Sequence, residues 1–150
     1  SIVKSVIKSN NNRKILLTKR VSKIMNNKIK NKNITVLGVT FKANTDDMRE
    51  SSSLVLIPFL LKKGAKVKYH DPSGPKKEFQ KKANLKFERT LSKACVGADL
   101  IIINTEWDEF KSIDFKKIVK KNNFKVYDMR NLYNPTELEK RKIKYYSVGR

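Results

Sequence analysis

The run Asn33-Ile34-Thr35-Val36-Leu37-Gly38-Val39 passes into the polar stretch Thr40-Phe41-Lys42-Ala43-Asn44-Thr45-Asp46-Asp47-Met48-Arg49-Glu50 and then into an apolar segment at 54–63. The first part is rich in β-branched residues and reads as a strand. In the third part Leu54, Ile57 and Leu61 recur at helical spacing, and Gly64 is placed to end the helix. Asp47, with Glu50 three residues on, has the pattern of a capping box at that helix's start. Downstream the same alternation repeats. Residues 66–70 read as a strand closed by Asp71-Pro72, 75–82 as a weaker helical segment, and 91–96 as a short helix. Leu100-Ile101-Ile102-Ile103-Asn104 is almost wholly apolar, the pattern of a strand covered on both faces. Residues 114–120 read as a helix, 124–127 as a strand and 145–148 as a last strand. Strands alternating with helices in one short chain imply an α/β, doubly wound parallel sheet of the Rossmann-like kind.

Upstream, residues 2–25 read as one long helix. Val3, Ile7, Asn10, Leu17, Val21 and Ile24 follow a 3.6 period with no Pro or Gly between them. At 1.5 Å per residue it runs roughly 35 Å, long and narrowly apolar for a core helix of a small domain. A linker, or a packing surface for another element, is the expectation. Residues 26–33 are polar and basic and mark a boundary, so 1–32 form the helix and linker and 33–150 the sheet domain.

An open α/β sheet places its ligands beyond the carboxyl ends of the strands, at a topological switch point. The loops expected there are 40–47, 70–73, 105–108 and 128–131. The first is not the dinucleotide fingerprint, which needs three glycines where this loop has Gly38 alone. Lys42, just past a strand end, is either a solvated lysine or an ammonium that meets phosphate or sugar oxygens. Asp46 and Asp47 read as helix-start residues rather than acid–base catalysts. Arg49 is expected in the first helical turn, where its charge opposes the helix dipole and hints at an anionic partner.

Composition bounds the function classes. The chain has 150 residues, 39% hydrophobic and 33% charged, enough for one domain with a core. No apolar run approaches the roughly 20 residues that span a bilayer. One cysteine, Cys95, excludes an internal disulfide, and one histidine, His70, leaves no metal cluster. A cytoplasmic protein with no membrane partner follows as the expectation. The formal charge of +21 rests mainly on scattered lysines, with Asn and Ile also abundant. AT-rich codons produce that bias, which leaves diffuse solvated charge against a basic nucleic-acid-binding α/β module. Polyanion binding needs a focused field, so no specific nucleic-acid partner is expected.

Four ordered stretches carry a resemblance. They are Phe41-Lys42-x-Asn44-Thr45-Asp46-Asp47-x-Arg49-Glu50-Ser51, Gly64-Ala65-x-Val67 leading to Tyr69-His70-Asp71-Pro72, Gly97-Ala98-Asp99 leading to Asn104-Thr105-Glu106-Trp107, and Asp128-Met129-Arg130-Asn131-Leu132-Tyr133. Together they resemble the UDP-binding domain of the UDP-glucose/GDP-mannose dehydrogenase family over residues 34–150. The segment before them is similar to the end of that family's long inter-domain helix. Thr105-Glu106-Trp107 and Arg130-Asn131-Leu132-Tyr133 favour the members that act on UDP-glucose over GDP-mannose or UDP-amino-sugar enzymes.

The resemblance implies that Phe41 and Lys42 contact the substrate's sugar and nucleotide, and that Arg130 holds its UDP end. It implies that Arg49 reaches NAD bound mostly by another domain. The whole enzyme would oxidise UDP-glucose to UDP-glucuronate with two NAD, as a homodimer joined through the long helix. The family's nucleophile is a cysteine in a glycine-rich motif that residues 1–150 do not contain, so no catalytic residue is expected here, nor any metal ligand. Ala43 stands where proline is usual in the family, and Met129 where glycine is common. Trp107 reads as a packing aromatic rather than a base-stacking one, Cys95 as a small buried hydrophobe, His70 as structural and Asp71 as a turn residue.

Overall fold

The computed structural model describes residues 2–149, with the backbone alone for residues 2, 3, 6 and 7. Helix α1 runs Ile2–Ile24 and strand β1 runs Asn33–Leu37. Then come α2 (Ser53–Lys62), β2 (Lys66–His70), β3 (Leu85–Phe87) and α3 (Leu91–Cys95). β4 (Leu100–Ile103), α4 (Phe115–Val119), β5 (Lys125–Asp128), α5 (Pro135–Lys140) and β6 (Lys144–Tyr146) complete the chain. The six strands form one sheet in the order β3-β2-β1-β4-β5-β6, every neighbouring pair parallel. From β1 the chain winds outward to β3, then returns to β4 and winds the other way. The reversal between β1 and β4 is the switch point of a doubly wound sheet.

Two apolar layers sandwich the sheet. On one face Ile34, Val36, Val67, Leu100 and Ile102 meet Leu56, Ile57 and Leu60 of α2, with Val21 and Ile24 of α1. On the other, Leu37, Ile101, Ile103 and Val126 meet Ala94, Phe115, Val119 and Leu138 from α3, α4 and α5. β4 contributes alternate residues to both layers, and all four are 0% exposed, which is why its sequence lacks polar alternation. Each fully buried Leu or Ile side chain contributes roughly 1.5–3 kcal/mol relative to its exposed form.

Helix α1 divides along its length. From Leu17 onward it packs on the sheet: Val21 is 0% exposed, while Ile15 and Leu16 one turn earlier are 41% and 68% exposed. The Tyr127 hydroxyl donates to the Leu17 carbonyl at 2.9 Å, and Lys125 Nζ to the Ile24 carbonyl at 2.6 Å. Arg20 lies over the Tyr127 ring and donates to the Ser147 carbonyl. Val3 and Ile7, counted on the apolar stripe, fall outside the described side chains.

Several local expectations are corrected. Helix α2 begins at Ser53, and its buried residues are Ser53, Leu56, Ile57 and Leu60, while Leu54 is 37% exposed. Asp47 and Glu50 form no capping box; Glu50 has φ 61°, which ends any helix there. Arg49 accordingly lies in the loop before α2, not in its first turn. Residues 75–82 hold one 3₁₀ turn, Lys77–Phe79, because Lys81 adopts φ 55°. It tucks Phe79 edge-on against Tyr69 at 5.4 Å. The three-residue β3 and the helix α5 carry weak periodicity and were not expected. Asn134 as N-cap, with Pro135 at the first helical position, is the local signal for α5.

Candidate functional site at the sheet's switch point

The first loop leaves β1 through a close approach. Gly38 has φ 80°, and a Cβ there would sit 2.5 Å from Thr105 Cβ and 2.9 Å from the Thr105 backbone nitrogen. Only glycine lets the ends of β1 and β4 meet in this way. Asp71, 1% exposed, then fixes the chain: its Oδ2 accepts from the amides of Val39 at 2.7 Å and Thr40 at 3.3 Å. Its Oδ1 accepts from the Ser73 amide and hydroxyl, so it is both the expected turn residue and a clamp between two loops. Ser51 and Ser53 hydroxyls both donate to the Val39 carbonyl at 2.6 Å, closing the loop on itself. Ser52 donates to Asn104 Oδ1 at 2.6 Å, tying the start of α2 to the end of β4.

The last loop is organised by Asp128, fully buried at the end of β5. It accepts from the Arg130 amide at 3.0 Å, the Tyr133 amide at 3.0 Å and the Tyr145 hydroxyl at 2.6 Å. Such a carboxylate spans its turn the way a backbone carbonyl would, at charge-assisted strength. The residue with positive φ in this turn is Asn131, at 53°, and Met129 is not among the residues with positive φ. A side chain is therefore accommodated at this position, with Met129 packed into the core at 8% exposure. Asn131 and Val148 exchange two hydrogen bonds, at 2.7 and 2.9 Å.

Phe41 and Arg130 line one cavity of about 360 Å³. Met129 and, from α1, Arg13, Lys14 and Leu17 share its wall. Arg130 is ion-paired with Glu106 from the loop after β4. Lys14 is ion-paired with Glu50 at 3.1 Å. Lys42 follows Phe41 in an exposed turn whose carbonyl accepts from Thr40 Oγ1 at 2.9 Å and Thr45 Oγ1 at 3.2 Å, and it is not among the lining residues. Arg49 faces a different depression, beside Asp46, Asp47 and Lys77. Its guanidinium grips Asp47 at 3.0 and 3.1 Å, and that hydrogen bonding lowers the Asp47 pKa. The structure thus brings Phe41 and Arg130 together, leaves Lys42 off the cavity wall in the exposed turn after Phe41, and holds Arg49 apart.

The remaining chemistry-bearing residues are packed. Cys95 is fully buried, which pushes its thiol up to about 12, far from a reactive thiolate. His70 Nδ1 bonds the Glu88 carbonyl at 2.8 Å and its ring stacks on Phe87. Trp107 packs against the second apolar layer, and its buried indole nitrogen has no acceptor among the described residues. Arg13 and Lys14 line the cavity although the sequence does not mark them as site residues, and the ion pairs Lys14–Glu50 and Arg130–Glu106 span 36 and 24 positions, a separation no local pattern reports.

Residues 35–135 match the UDP-glucose/GDP-mannose dehydrogenase family, UDP binding domain. The chain belongs to this family. It is 40% identical to the UDP-glucose 6-dehydrogenase of Rickettsia bellii, over 99% of this chain and 35% of that protein. It is 35% identical to the UDP-glucose 6-dehydrogenase of Rhizobium meliloti, over 99% of this chain and 34% of that protein. The chain therefore spans about a third of the length of the curated relatives it matches. Among solved structures, a UDP-glucose dehydrogenase from the archaeon Pyrobaculum islandicum superposes with TM-score 0.75 at 24% identity, over 96% of this chain and 31% of that one. That likeness carries the fold. The family expectation drawn from the four sequence stretches holds, as does the doubly wound sheet preceded by a long helix.

Proposed function

We propose that residues 33–150 are the nucleotide-sugar-binding unit of a UDP-glucose 6-dehydrogenase, and that 1–32 are the end of its inter-domain helix and linker. The whole enzyme, on this reading, oxidises UDP-glucose to UDP-glucuronate with two NAD. The observation that carries it is the meeting of Phe41 and Arg130, 89 positions apart, in one cavity at the switch point. Arg130 presents a planar fork of donors suited to the UDP end of the substrate. Phe41, 47% exposed, offers an apolar face to the sugar and nucleotide, and Lys42 an ammonium to sugar or phosphate oxygens.

The turn after β1 does not fit the pyrophosphate of NAD. The Val39 and Thr40 amides that would cradle it are held by Asp71, and the space above Gly38 is filled by Thr105. This supports a cofactor held mainly outside residues 1–150, with Arg49 reaching toward it from a side chain that is 89% exposed. Residues 1–150 contain no cysteine other than Cys95, which lies in the core, so the catalytic thiol is assigned to another part of the enzyme. No described helix is long and apolar enough to cross a membrane. We place the protein in the cytoplasm, as a homodimer formed along α1, where the exposed Ile15 and Leu16 support that role.

The 150-residue chain alone is expected to produce no NADH from UDP-glucose and NAD, while the enzyme with its upstream domains restored does. Steady NADH production by the pure chain overturns the assignment. Competition with GDP-mannose and UDP-N-acetylmannosamine separates the UDP-glucose reading from its relatives: the complete enzyme should turn over UDP-glucose and leave the other two.

A further inference from the structure

We infer that helix α1 forms one wall of the nucleotide site, with Lys14, assisted by Arg13, holding a phosphate of the ligand opposite Arg130. The inference rests on the reading of the Phe41–Arg130 cavity as the UDP-sugar site and assigns that site a second cationic wall. Three cations line the cavity, Arg13, Lys14 and Arg130, against one lining carboxylate, Glu50. Leu17, Phe41 and Met129 supply an apolar surface between them. A group with two or more negative charges and an apolar or aromatic body matches that lining, and a nucleoside diphosphate is such a group.

The cations are already in place. Lys14 is held by Glu50 at 3.1 Å with its own side chain 17% exposed, and Arg130 is held by Glu106. The Glu50 side chain is 72% exposed, so the Lys14–Glu50 pair sits in high dielectric and its exchange for a phosphate costs little. Glu50 occupies φ 61°, a conformation uncommon outside glycine and asparagine, at the point where its loop meets Lys14 of α1. The wall is rigid behind Lys14. Tyr127 bonds the Leu17 carbonyl, Arg20 bonds the Ser147 carbonyl and Lys125 bonds the Ile24 carbonyl. Carboxylates Glu50 and Glu106 therefore act as counter-ions that the ligand's phosphates displace, one on each side of the cleft.

The test is calorimetric titration of the 150-residue chain with UDP and with uridine, which shares the base and ribose but has no phosphate. Lys14→Met keeps the stem and removes the charge; it is expected to weaken UDP about tenfold, the loss of one charge-assisted hydrogen bond. Uridine affinity should stay within about twofold, and Lys14→Arg should restore UDP binding. Glu50→Gln removes the competing carboxylate and should leave UDP binding unchanged or strengthen it. Far-ultraviolet circular dichroism on every variant reads retention of fold. Loss of UDP affinity in Arg130→Ala but not in Lys14→Met overturns this inference and leaves the proposed function standing. Equal weakening by Glu50→Gln and Lys14→Met makes the pair merely structural and overturns it too. Failure of UDP to bind the chain, or indifference to both Arg130 and Lys14, overturns the inference and the site reading together.

Discussion

Arg49 and Arg130 both sit in loops beyond strand ends and both hold a carboxylate, yet they are built differently. Arg49 closes on Asp47, two residues away in its own loop, and its side chain is 89% exposed. Arg130 closes on Glu106 from the loop of another strand, at 38% exposure, at the edge of a cavity. A locally paired, solvated guanidinium can swing out to an approaching surface at small cost, because solvent screens the pair it leaves. One held across the cleft has its direction set by two elements of the sheet before any ligand arrives. On the proposed reading, Arg49 is then the contact that moves to its ligand and Arg130 the preorganised one.

The largest expected effect breaks the comparison on the Arg130 side. In the complete enzyme, Arg130→Ala should raise the Michaelis constant for UDP-glucose about tenfold or more, with the constant for NAD moved much less. Steady-state kinetics at saturating cosubstrate read both, and an unchanged UDP-glucose constant in a folded protein makes the site assignment wrong. Lys42→Ala, in the exposed turn that follows Phe41, should lower turnover as well as raise the UDP-glucose constant, by about threefold to tenfold. Arg49→Ala should show the reverse bias, a rise of a few fold (roughly two to five) confined to NAD. The smallest effect sharpens the contrast: Lys62→Ala and Lys117→Ala, at exposed helical positions, should leave both constants within about twofold, since exposed substitutions away from a site move energies by only about ±0.5 kcal/mol.

The fold was legible because its signals are local and redundant. The alternation around β1, the unbroken apolar run of β4 and Gly64 after α2 each reduce to a few neighbouring residues. β3 leaves no sequence signal because three residues of Leu-Lys-Phe are too few for a period to show. The sequence points to too early a start for α2 because Asp47 and Glu50 satisfy a capping-box pattern that Glu50's left-handed backbone forbids. Family resemblance points to Phe41, Lys42, Arg49 and Arg130, and of these Phe41 and Arg130 line the cavity. Arg13 and Lys14 lie on a helix whose sequence reads as a linker or a packing surface, since the tertiary docking of α1 through Tyr127 and Lys125 has no sequence signature. Glu106 was visible only as part of a motif, and its pairing with Arg130 depends on the β4–β5 adjacency.

The contact between Gly38 and Thr105 makes position 38 a fixed letter and position 105 a negotiable one. Alanine at position 38 would place its methyl 2.5 Å from Thr105 Cβ and 2.9 Å from the Thr105 backbone nitrogen, at φ 80°, so shrinking the Thr105 side chain removes only the first of these obstacles. Shrinking Thr105 to glycine also removes its hydroxyl's 2.9 Å bond to the Thr40 carbonyl and loosens the loop that carries Phe41. Across divergent relatives, position 38 should therefore stay glycine whatever stands at 105, and a two-site library scored for folding would show one strict preference beside one graded one.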